Sequence, residues 1–69
     1  MGNTIDYDKN YEFIDLFKIY QRADFTKWSW ADIFVLKNKF RWSIENQDQE
    51  NYFKHFILNK LNQLLLEKK

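Results

Sequence analysis

Apolar residues recur along this chain at intervals of three and four, in three stretches separated by polar ones. That spacing marks the faces of helices, and no run alternates strictly enough to read as a strand. Phe13, Leu16, Phe17 and Tyr20 define the first face, within a helix predicted from about Asp6 to Arg22. Tyr7, Tyr11 and Ile14 make a second stripe beside it, and Asp8, Asp15, Lys18 and Arg22 occupy the polar side. Asp6 and Asp8 near the start and Arg22 near the end complement the helix dipole.

The sharpest local signal follows. Ser29-Trp30-Ala31-Asp32 reads as a capping box, with Asp in place of the usual Glu or Gln. Trp28 before the box and Ile33 four residues after Ser29 are placed for a hydrophobic staple. The second predicted helix runs from about Trp30 to Ile44. Trp30, Ile33, Phe34, Leu36, Lys37, Phe40 and Ile44 share one face, and Ala31, Val35, Asn38 and Trp42 share another. After the polar stretch Glu45–Glu50, a third helix is predicted to start near Asn46 or Asp48, with Asn46 and Gln49 as capping candidates. Its core stripe is Phe53, Ile57, Leu61, Leu64 and Leu65, widened by Tyr52 and Phe56. Lys68 and Lys69 suit its carboxyl end. Three amphipathic helices with short connections predict one all-α domain over residues 1–69, a small antiparallel three-helix bundle. The alternative is a helical hairpin completed by dimerisation.

Composition narrows the picture. The chain has 69 residues, with one Gly, no Pro and no Cys. Disulfides and cysteine-based zinc sites are excluded. A chain this short buries only about 60% of its unfolded surface on folding, so it relies on tight packing or oligomerisation. An aromatic content of 20% serves the packing. Net charge is +1, with −2 over residues 1–24, +2 over 25–46 and +1 over 47–69. So small a balance gives no general case for nucleic acid or an anionic membrane surface as partner. The amino terminus lacks the basic and apolar regions of a signal peptide. Gly2 lacks the Ser or Thr at position 6 that myristoylation uses. No apolar run approaches 18 residues, so no membrane span is expected. The expectation is a soluble, cytoplasmic protein with no membrane partner.

Candidate chemistry is sparse. His55, the one imidazole, falls on the polar side of the third helix with Asn51, Asn59 and Asn62. Asp8, Glu12 and Asp15 read as a solvated acidic face. There is no nucleophile-and-base arrangement, no phosphate-cradling glycine loop and no convergent ligand set. The expectation is a protein that is not an enzyme and takes no cofactor or metal.

Two binding readings remain. The basic run Lys37-Asn38-Lys39-Phe40-Arg41-Trp42 could serve a weak nucleic-acid-binding helical module through Lys37, Lys39 and Arg41. On a helix, however, Lys39 lies about 160° from both other cations, which are about 40° apart. The stronger reading starts from the aromatic surplus, since exposed apolar patches and aromatic side chains mark protein interfaces. It predicts a small protein-binding regulator or inhibitor. Trp28, Trp30, Val35 and Trp42 would anchor in a partner protein, with Lys39 and Arg41 as a basic rim toward an acidic partner. Tyr7, Tyr11, Tyr52 and Phe56 are the candidate self-association residues, with a homodimer as the simplest closed form.

Overall fold

A computed structural model describes residues 5–69, so the readings made at Met1–Thr4 lie outside the described residues. The elements in order are α1 (Phe13–Arg22), a 3-10 turn (Phe25–Lys27), α2 (Trp30–Ser43), α3 (Gln47–Tyr52), a π-helical segment (Phe53–Ile57) and α4 (Leu58–Lys68). The last three run on without a break and form one rod. The fold is therefore the predicted three-helix one, with no β-structure among the described residues. Phe17 meets Tyr52 and Tyr20 reaches Phe56, so α1 runs along the third rod in the same direction. α2 returns between them, with Trp30 beside Leu65 and Leu66.

The first helix starts later than the spacing predicts. Asp6 organises a turn instead: its carboxylate accepts from the Asp8 N–H at 3.1 Å and its carbonyl from the Lys9 N–H at 3.4 Å. A short acidic side chain that satisfies nearby backbone competes with helix in this way. The Asp6 N–H donates to the Tyr11 hydroxyl at 3.3 Å, and Ile5 inserts into the core. Tyr7 and Tyr11 consequently lie on an irregular strap, and the predicted stripe with Ile14 does not form. Ile14, on α1, is exposed.

The capping signals hold. The Asp32 N–H donates to Ser29 Oγ at 3.1 Å, and the Ser29 N–H donates to Asp32 Oδ2 at 3.2 Å. Trp28 and Ile33 are both buried, as the staple requires. Asn46 caps the third rod by accepting from the Gln49 N–H at 2.9 Å, and Gln49 Oε1 accepts from the Glu45 N–H at 2.9 Å.

Leu16, Ile33, Leu36, Phe40, Ile57 and Leu61 are fully buried. Phe40 is the hub: its ring centroid lies 5.2 Å from Phe13, 5.6 Å from Phe53 and 6.2 Å from Tyr20. Edge-on and offset contacts of this kind add to the burial of each ring.

The π segment answers a register problem. Phe53, Ile57 and Leu61 are all buried and spaced strictly by four. In a regular α-helix each four-residue step drifts about 40°, so Leu61 would sit about 80° from Phe53. One wider turn, in which the Leu58 N–H donates to the Phe53 carbonyl, absorbs a residue and cancels that drift. The Tyr20 hydroxyl donates to the Phe56 carbonyl at 3.3 Å, tying α1 to this segment.

Candidate interaction surfaces

The aromatic surplus divides between core and surface. Trp28, predicted as a partner anchor, is 2% exposed, with its ring 5.1 Å from Phe25. It is a core residue, because the staple before α2 turns it inward. Its indole N–H has no partner among the described residues. Val35 is half-buried and packs against the core, so it offers little as an anchor. Trp42 is 79% exposed and Trp30 40%. The predicted set therefore does not form one surface. Trp30, Phe34 and Arg41 lie within about 40° on α2, and Val35 and Trp42 about 80–100° further round.

Three exposed aromatic patches result among the described residues. At the carboxyl end of α2, Trp42, Lys39 and Ser43 line a concavity of about 200 Å³ with Asn10 and Tyr11 from the strap. The Lys39 ammonium donates to the Lys9 carbonyl and lies 5.5 Å from the Tyr11 ring centroid; Lys9 Nζ lies 5.3 Å from the same centroid. Neither lysine has a carboxylate within ion-pair distance among the described residues, where Glu50–Lys54 at 3.2 Å is the pair formed. The second patch joins Tyr52 and Phe56, whose centroids are 4.8 Å apart, with Phe56 65% exposed. Of the four predicted self-association residues, these two are together. Tyr11 is half-buried under the two lysines, and Tyr7 is at the opposite end of α2, bonded to Asp32.

The third patch was only partly legible in the sequence. Trp30 and Phe34 stack at 5.0 Å with planes 10° apart, and Leu65 and Leu66 from α4 lie beside Trp30. The spacing puts Phe34 on one face with Ile33 and Phe40, but it is 41% exposed. It lies some 100° or more from Ile33 and Phe40 around α2, which is the signal that separates it. Leu64-Leu65-Leu66 carries a similar signal, since three consecutive helical positions cannot share one face.

The basic run is not gathered into one stripe. Lys39 faces the strap, and Lys37 and Arg41 face the Trp30 side. His55 is exposed, with its ring 6.5 Å from Phe56. Among the described residues no cluster of His, Cys, Asp or Glu could hold a metal ion, and no helix is long and apolar enough to cross a membrane.

Asp32 couples the strap to the α2 cap. Its Oδ1 accepts from the Tyr7 hydroxyl at 2.5 Å, and its Oδ2 accepts from Ser29. The Tyr7 hydrogen bond, then the Ser29 backbone and side-chain bonds, hold the Asp32 carboxyl below the usual range against a partial desolvation. The same bond raises the Tyr7 phenol, helped by desolvation and the Asp32 charge. A depressed folded pKa means that the Asp32 contribution is complete above the unfolded value, about 3.9, and is lost as pH falls through the folded one. Tyr7→Phe is therefore expected to flatten the loss of stability below about pH 4, read as the melting temperature against pH. An acid limb unchanged by Tyr7→Phe would contradict this linkage. Asp24 is also lowered, chiefly by the Thr26 hydroxyl at 2.6 Å and then by the Thr26 N–H.

Comparison of the chain with family models, with curated proteins and with solved structures finds no match.

Proposed function

We propose that this chain is a small protein-binding regulator or inhibitor, without catalysis of its own, that works through its exposed aromatic helical surface. The observation that carries the proposal is Trp42: 79% exposed, on a chain that buries Phe40 and Leu36 completely. Large aromatic side chains left in water are the usual anchors of protein interfaces. Lys39 beside Trp42, with Arg41 further round the helix, supplies a basic rim toward an acidic partner protein. Self-association belongs to the same reading. The exposed Tyr52–Phe56 pair gives a two-fold dimer a self-complementary patch. A cytoplasmic setting fits the absence of cysteine.

Trp42→Ala tests the proposal. With the far-ultraviolet spectrum unchanged, the variant is expected to lose partner capture by about tenfold or more. Retained capture by the folded variant would remove the Trp42 surface from the account.

A further inference from the structure

We infer that the groove between α2 and α4 docks an acidic amphipathic helix of another protein, an assignment that rests on the protein-binding reading above. Its floor is apolar. Trp30 and Phe34 form a stacked slab, and Trp30 lines a concavity of about 270 Å³ with Asn62, Leu65, Leu66 and Lys69. Leu66 is 73% exposed there.

The rim is cationic. Lys37 and Arg41 share with Trp30 and Phe34 a strip of α2 about 60° wide, which passes from α4 and Lys69 at its Trp30 end to the π segment near Phe53 at its Arg41 end. None of the three is held in an ion pair among the described residues, where Glu50 of the third rod pairs with Lys54. The one carboxylate of α2, Asp32, is held by Ser29 and Tyr7. The one carboxylate of α4, Glu67, lies on another flank with Phe56, Lys60 and Leu64, where it accepts from Gln63.

These features select the occupant. A channel between two packed helices complements the ridge of a third. From Trp30 to Arg41 the strip is about 16 Å long, three turns of a partner helix. Apolar side chains of that helix seat on Trp30, Phe34 and Leu66, and carboxylates one or two turns on reach Lys37 and Arg41. A second copy of the chain fits poorly, because a two-fold contact would set one cationic rim against another.

The indole N–H signals of the full chain test this directly by ¹H–¹⁵N correlation. Trp30 reports the groove, Trp42 the strap corner, and buried Trp28 the integrity of the fold; Trp30→Phe and Trp42→Phe assign them. The probes are two synthetic amphipathic helices of about four turns, with identical leucine faces and either Glu or Lys on the polar face. Anionic phospholipid vesicles and a single-stranded oligonucleotide represent the other anionic classes. The Glu peptide is expected to shift the Trp30 signal and leave Trp28 in place. Arg41→Glu is expected to weaken that binding by about tenfold. A shift confined to Trp42 overturns the groove and leaves the protein-binding reading standing. No shift of either exposed indole by either peptide overturns both. Equal binding of the Lys peptide, or a Trp30 response to vesicles or oligonucleotide but not to the Glu peptide, overturns the acidic-helix assignment.

Discussion

Phe40→Ala is expected to destabilise the fold by about 3–5 kcal/mol, the range for truncating a buried Phe. Phe40, on α2, is completely buried and touches rings from both other rods: Phe13 and Tyr20 of α1 and Phe53 of the third. Truncation removes the transfer free energy of the ring and leaves a cavity whose lining belongs to three separate helices. Those helices cannot all close on it by one shift. A domain of this length has a total stability of about 3–10 kcal/mol, so the variant stands near or past its unfolding midpoint in water. Urea unfolding followed by circular dichroism reads the effect. A loss below about 1 kcal/mol would mean that Phe40 is not the hub.

The second large effect comes from a pair of single-residue deletions in the third rod. His55 and Asn59 are both exposed, but His55 lies in the π segment and Asn59 in α4. Deleting His55 removes the residue that the wide turn absorbs, so Phe53, Ile57 and Leu61 keep a common face in a regular helix. Deleting Asn59 from regular helix rotates everything after it by about 100°. Leu61, fully buried, is then carried out of the core, at a cost of about 2–5 kcal/mol. The expected order of stability is wild type close to the His55 deletion, with the Asn59 deletion far below. Equal losses would show that the π segment does not set the register.

Much of the fold was legible because it rests on local signals. The Ser29–Asp32 box, the Asn46 cap and the three- and four-residue spacings each state a helix start or face within a few residues. Two features resisted reading for related reasons. The strap was predicted as helix because Tyr7, Tyr11 and Ile14 are spaced like a stripe. Deciding against it are the Asp6 turn and the insertion of Ile5, a long-range packing event that spacing does not encode. The π segment was hidden because a strict repeat of four looks like an ordinary core stripe until its drift is summed.

The candidate surfaces were legible in kind but not in arrangement. An excess of rings over what three helices can cover is visible in composition, and Trp42 and Phe56 are exposed as that excess implies. Which rings turn inward depends on the chain before each helix. Trp28 and Trp30 are two residues apart, yet the cap between them sends one into the core and the other to the rim of a groove. Lys39 and Arg41 part company as helical spacing requires, about 160° apart; what the sequence did not show is that the strap, folding where a helix was expected, captures Lys39.

On the proposed reading, Trp42 and Phe56 face water to make contacts with another molecule and are not parts of the core. The double substitution Trp42→Ser with Phe56→Ser, followed by sedimentation velocity and urea unfolding on the same samples, decides this. The expected result is a stability within about 0.5 kcal/mol of the wild type, as for surface positions, together with the loss of concentration-dependent association. An unchanged sedimentation profile with a loss of stability approaching that of Phe40→Ala would show that the two rings serve the fold.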